Sequence, residues 1–130
     1  MNKIVKTAII AMMFVQGAVA AHAQAMRKEA DGTYVVNTTA IGKNIKGFKG
    51  ATPVEIYIKN NKIVKVIALK NIETPKFFER AKGGVLPVWA GMKVSKAVKA
   101  KVDGVTGATL SSNALIKNVQ AGLAYYQGHQ

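Results

Sequence analysis

Val54-Glu55-Ile56-Tyr57-Ile58-Lys59-Asn60-Asn61-Lys62-Ile63-Val64-Lys65-Val66-Ile67-Ala68-Leu69 is the stretch on which the fold turns. Its first half alternates, with Val54, Ile56 and Ile58 facing one way and Glu55, Tyr57 and Lys59 the other, as expected of a half-buried strand. Asn60-Asn61 then supplies two residues that tolerate positive φ, the requirement of a tight hairpin turn. The return strand, Ile63 to Leu69, is apolar on both faces at Val64, Val66, Ile67 and Ala68, which predicts a central position in the sheet.

Upstream of the hairpin, Arg27 to Ala30 reads as a polar lead-in. Asp31-Gly32 makes a turn into a strand from Thr33 to Thr39. The Gly- and Lys-rich stretch Gly42 to Gly50 (GKNIKGFKG) reads as a loop or an irregular strand with a turn. Downstream the period lengthens. Thr74-Pro75 has the form of an N-cap with proline at the first helical position, opening a short helix Pro75 to Lys82 that Gly83-Gly84 ends. A second short helix spans Leu86 to Ala90, and Val94 to Val102 is open between a short strand and a helix. Ser111 or Ser112 caps a last helix running to Tyr126, with Leu115, Ile116, Val119, Leu123 and Tyr126 on one stripe and Gly128 beyond it. No repeat or linker divides these elements. The expectation is one small α+β domain, mostly antiparallel sheet with short helices and a C-terminal amphipathic helix.

Residues 1–23 stand apart, with the form of an export signal. Lys3 and Lys6 precede an apolar run from Thr7 to Phe14, and small residues lead to Ala21-His22-Ala23, an A-x-A site that places cleavage before Gln24. A bilayer span needs roughly 20 apolar residues, and Gln16 and Gly17 interrupt this one. Cleavage leaves a mature domain, residues 24–130, outside the cytoplasm, in the periplasm of a bacterial cell. An uncleaved N-terminal anchor is the alternative.

The 130 residues carry 19 Lys and Arg against 6 Asp and Glu, a net charge of +13, and no cysteine. The length excludes a multidomain enzyme. The missing cysteines exclude disulfide scaffolds, thiolate zinc or iron-sulfur sites and a cysteine nucleophile. Arg27 and Arg80 are the sole arginines. Planar bidentate readout of bases favours arginine over lysine, so the charge points to solubility, or to steering toward an acidic partner or an anionic membrane surface, and not to nucleic acid.

The segment before the last helix bears the sharpest signal. Asp103-Gly104-Val105-Thr106-Gly107-Ala108-Thr109 fits the pattern D-x-x-[ST]-G-A-[ST], followed by Leu110-Ser111-Ser112. Gly107-Ala108 clears bulk beside the Thr109 hydroxyl, and a helix opening at Ser111 offers unpaired N–H groups to a phosphate. A glycine turn followed by a serine cap is the alternative account of Gly107 and Ser111. The pattern resembles the attachment motif of the FMN-binding domain family, found in flavin-carrying subunits of the sodium-pumping NADH:quinone oxidoreductase and of the related Rnf electron-transport complex. The resemblance extends to Asp31-Gly32-Thr33-Tyr34, the hairpin and Glu73-Thr74-Pro75.

Several expectations follow from that resemblance. FMN is joined through its phosphate to the hydroxyl of Thr109, by a flavin transferase using FAD and magnesium. Asp103, Thr106, Gly107, Ala108, Ser111 and Ser112 form the surrounding site, with Asp103 serving the transferase or orienting the loop, and the Glu73-Thr74 turn lies near the flavin. Thr106 stands where Ser is commoner and Ser111 where Thr often follows, both keeping a hydroxyl. The pump subunits have a membrane helix where this chain has a signal-like segment, which favours a stand-alone exported carrier over a pump subunit.

Other residues carry less. Trp89, Phe77 and Phe78 suit either a flavin ring or the core. His22 and His129 support no triad or metal site, Gly42-Lys43 lacks the spacing of a phosphate loop, and the sequon Asn37-Thr38-Thr39 is discounted because signal and resemblance look bacterial. The expected function is electron transfer by covalent FMN between a donor and an acceptor, membrane-bound partners among the candidates, with no independent catalysis. The alternatives are a basic envelope module that binds anionic polymers or membrane surfaces without flavin, and a donor dedicated to one reductase.

Overall fold

Alternation in the hairpin becomes a strand, β3 (Val54–Lys59), whose Val54, Ile56 and Ile58 are fully buried. The computed structural model describes residues 25–130, so the proposed signal and its cleavage site lie outside the described residues. Asn60 and Asn61 turn the chain at φ 53° and 60°, the left-handed pair that a two-residue hairpin requires. The return strand, β4 (Lys62–Ala68), pairs Ile58 with Ile63 and, across an irregularity between Tyr57 and Ile58, Tyr57 with Lys65. That bulge leaves Val64 as the extra residue, so that Ile63 and Val66 both turn inward while Val64 is exposed.

Two further strands complete an antiparallel sheet in the order β1-β2-β3-β4, with β1 at Met26–Lys28 and β2 at Tyr34–Asn37. Two expectations are corrected here. The polar lead-in at Arg27 is part of a strand, because ladder hydrogen bonds come from the backbone and make no demand on side chains. Arg27 in turn pairs with Glu29 at 3.4 Å and Glu55 at 3.5 Å. The return strand is an edge and not central, and its outward apolar residues Val64 and Ile67 are exposed.

One face of the sheet is covered by helices. Thr74 and Pro75 open α1 (Pro75–Val85), which runs through Gly83-Gly84 instead of stopping at Lys82 and continues as a 3-10 turn, Leu86–Trp89. Packing overrides glycine's poor helix propensity here, since Phe78, Ala81, Val85, Leu86 and Trp89 are all buried. The undecided stretch from Val94 resolves as a single helical turn, α2 (Val94–Ala97). The last helix, α3 (Thr109–His129), starts two residues before the expected serine cap and passes Gly128. Its stripe of Leu115, Ile116, Val119, Leu123 and Tyr126 is buried against the sheet core of Val36, Ile56 and Ile58, as the 3.6-residue period predicts. The result is the expected single α+β domain.

Candidate functional site

Ser111 and Ser112 do not cap α3; their hydroxyls bind elsewhere. The Ser112 hydroxyl donates to the Ala108 carbonyl at 2.7 Å and accepts the Val105 N–H at 3.0 Å, folding the preceding loop back on the helix. Gly107 makes that loop's last turn at φ 87°, in the region that disfavours any side chain. Ala108 is then the N-cap, with no side-chain cap bond, and Thr109 is the first helical residue. The N–H groups of Thr109, Leu110 and Ser111 fall in the first turn, where no intrahelical acceptor exists. Thr109 itself is exposed.

Around Thr109 lies an apolar cleft of about 290 Å³ lined by Phe48, Phe77, Gly107, Ala108, Thr109, Leu110 and Ser111. Phe48 is 65% exposed, Leu110 56% and Phe77 42%, whereas the neighbouring Phe78 and the distant Trp89 belong to the core. Large apolar side chains gathered in solvent mark a binding surface. A larger hollow of about 410 Å³ sits at the other end of α3, against the hairpin tip, but its lining of Asn60, Asn61, Lys62, Lys93 and Tyr126 among others offers neither the motif nor an apolar wall.

Beneath the cleft, Glu73 ties three segments together. Its buried carboxylate accepts the Ser111 hydroxyl at 2.6 Å and the backbone N–H groups of Phe48, Lys49 and Gly50 at 2.8, 2.6 and 3.0 Å. Gly47 lets the loop close over the acid, because a Cβ there would run into the Glu73 carboxylate. Burial alone would raise the Glu73 carboxyl, but donors from Ser111, Lys49, Phe48 and Gly50 together outweigh it and hold the group below the ordinary carboxylate range. Glu73 therefore holds Phe48 at the mouth of the cleft without lining the cleft itself.

The residues singled out in the sequence thus divide. Gly107, Ala108, Thr109 and Ser111 line the cleft, and Glu73 lies directly under it. Thr106 is exposed outside the lining, its carbonyl accepting Arg80 Nη2 at 3.3 Å. Asp103 is exposed outside it as well, Ser112 is buried with its hydroxyl committed, and Thr74 is the N-cap of α1. Phe48 and Arg80 were missed. A phenylalanine set between glycines and lysines, in Lys46-Gly47-Phe48-Lys49-Gly50, was the available sign of Phe48.

Among the described residues no cluster of acids and histidines could hold a metal, and no helix is long and apolar enough to cross a membrane. Searches of curated proteins and of solved structures give no match. The family model described as FMN-binding domain matches residues 47–124, from Gly47 on the Phe48 loop to Ala124 in α3, and so takes in Glu73, both exposed phenylalanines and Thr109. By this match over more than half of its length, the chain belongs to the FMN-binding domain family.

Proposed function

We propose that the protein is an exported electron-transfer flavoprotein whose FMN is joined through its phosphate to Oγ1 of Thr109. The carrying observation is an exposed threonine hydroxyl on the first residue of α3, inside an apolar cleft flanked by Phe48 and Phe77. The donor set fits the group. A flat aromatic ring system suits the apolar walls, and a phosphate suits free N–H groups at the positive end of a 21-residue helix. The Arg80 guanidinium beside Gly107 adds a fixed positive charge. Ligand pockets commonly run from about 300 to 1,000 Å³, so this small, open cleft grips a flavin incompletely, and a covalent bond supplies the missing retention.

Attachment by a transferase using FAD and magnesium balances simply. The Thr109 hydroxyl gives up its proton, Oγ1 bonds to the phosphorus on the FMN side of FAD, and AMP leaves. FMN, once bound, supplies the redox chemistry, while the chain positions it and tunes its surroundings. Glu73, through Ser111 and the Phe48 loop, fixes one wall of the cleft. Outside the cytoplasm a diffusible FMN would be lost, which is the advantage of a tether. Donor and acceptor meet a basic surface, so acidic or membrane-bound partners are favoured electrostatically. The basic envelope module without flavin draws support from Lys93, Lys96, Lys99 and Lys101, none of which makes an ion pair with the described residues, but it leaves the exposed phenylalanines beside Thr109 unexplained.

Two experiments test the reading. Protein made with a flavin transferase, FAD and magnesium should keep its flavin colour after denaturation and removal of small molecules; colourless protein would refute the attachment. Expressed with residues 1–24 in place, it should be recovered outside the cytoplasm beginning at Gln24; intact Met1 chain in the membrane would refute cleavage and export.

A further inference from the structure

The exposed large apolar side chains fall into two groups. Phe48, Phe77 and Leu110 line the Thr109 cleft, and Ile72 packs beside Gly50 on the same loop. Val64, Ile67 and Val88 do not line that cleft, and Ile67 lines a second groove of about 440 Å³ with Lys65, Val66, Ala68 and, opposite, Lys82, Gly83, Leu86, Pro87 and Ala90. Consecutive strand residues point to opposite faces, so a groove touched by four in a row runs along the strand's edge.

That edge is partly used and partly open. At its start, Ile63 donates to Met92 O at 2.8 Å and accepts from Gly91 N at 2.7 Å. At its end, the Leu69 N–H turns back toward β3 to reach Pro53 O at 2.9 Å, so alternation points the backbone groups of Val66 and Ala68 outward. No hydrogen bond among the described residues meets them on that side. An unpaired edge of this kind is a template for another strand.

The helix wall bears an independent sign. Glycine is among the poorest helix formers, and α1 contains two in succession. Gly84 has a packing reason, since its Cβ would lie 2.5 Å from Val105 Cγ2. Gly83 has none, because a Cβ there meets nothing within 4 Å, and its effect is to keep the groove clear.

We infer that the groove between β4 and α1 is a docking site for an extended segment of a partner protein, carboxylates among apolar residues, that adds to β4 as a fifth strand. The lining charges are Lys65, whose ammonium rests over the Tyr57 ring at 4.7 Å, and Lys82, with Lys62 opening the strand and Lys70 just beyond it. Lys82 is partly offset by Glu79 at 3.1 Å. A second copy would set Lys62 and Lys65 against the same lysines, and residues 1–24 contain lysine but no acid, so neither complements the groove. Because Gly91 and Met92 close the Ile63 end, the segment enters from the Ala68 end. The inference does not depend on flavin.

The test uses two series of extended peptides alternating valine with glutamate or valine with lysine, titrated against the isotope-labelled protein. The glutamate series should shift resonances of Val66, Ala68 and Leu86 and slow amide exchange at Val66 and Ala68. Gly83→Phe, which fills the groove, and Lys65→Glu should each weaken it by about tenfold or more, and Gly83→Ala, which intrudes by one methyl group, should weaken it less than Gly83→Phe. Equal binding of the lysine series, shifts centred on Phe48 and Phe77, no binding by any glutamate peptide, or full binding by folded Gly83→Phe would each overturn the inference.

Discussion

Two buried polar clusters hold α3 to the rest of the molecule, and they differ in kind. Near its start, Ser111 meets the Glu73 carboxylate, which also gathers three backbone N–H groups of the Phe48 loop. Two turns further on, the Asn118 side chain accepts from Thr38 Oγ1 at 2.8 Å, donates to Thr52 Oγ1 at 3.3 Å and to Ala114 O at 3.0 Å, and the Thr38 hydroxyl accepts the Val54 N–H at 2.9 Å. The Asn118 cluster is neutral and closed, and fixes the register of helix on sheet. The Glu73 cluster contains a charge and sits directly beneath an open cleft. A buried carboxylate is harder to satisfy than a buried amide, and its presence there marks a wall that must stay in place.

The difference can be broken from either side. Glu73→Ala leaves three N–H groups and a hydroxyl without their acceptor, and should cost about 3 kcal/mol in denaturant unfolding while slowing flavin attachment at Thr109 severalfold. Normal attachment kinetics in a folded variant would separate Glu73 from the site. Asn118→Ala should cost about 2 kcal/mol by the same measurement, through the stranded Thr38 and Thr52 hydroxyls, yet leave attachment unchanged in the folded protein. Impaired attachment there would erase the contrast between the clusters.

Acid sharpens it further. Because the folded pKa of Glu73 is depressed, its contribution to stability is complete above the unfolded value of about 4.3 and is lost as pH falls through the lower folded value. Glu73→Gln removes that dependence, so stability measured downward from pH 5 should fall less steeply in the variant than in the wild type. Parallel curves would mean the carboxylate is not held as described. The smallest effect is electrostatic. Exchange of electrons with an acidic partner should slow as salt rises and screening shortens to about 8 Å at physiological ionic strength, and a rate independent of salt would remove steering by the lysines.

How much of this was legible in the chain depended on distance along it. Val54, Ile56, Ile58 and the Asn60-Asn61 turn were readable because alternation and positive φ are local properties. The stripe on α3 was readable for the same reason. The strand at Met26–Lys28 was hidden, since backbone pairing leaves no mark on side chains. The edge position of β4 was hidden by Val64 and Ile67, apolar residues that suggest burial and stand in solvent. At the site, the motif marked Thr109 and the turn marked Glu73, but the bond from Ser111 to Glu73 joins residues 38 apart, a distance that no spacing rule reaches. Start signals misplaced α3 because serine hydroxyls near a helix start commonly cap it, whereas here Ser111 reaches across the fold to Glu73 and Ser112 binds the preceding loop at Ala108 and Val105.

The central claim rests on one oxygen atom, and peptide mapping by mass spectrometry addresses it directly. Wild type, Thr109→Val and Thr109→Ser are each made with the flavin transferase, FAD and magnesium, then denatured and digested. The wild type should yield a peptide containing Thr109 heavier by one FMN less water, Thr109→Ser should retain some of that product, and Thr109→Val, equal in shape and lacking the hydroxyl, should yield none while staying folded. Flavin still covalently bound to folded Thr109→Val, or found on a peptide without residue 109 in the wild type, would contradict the assignment.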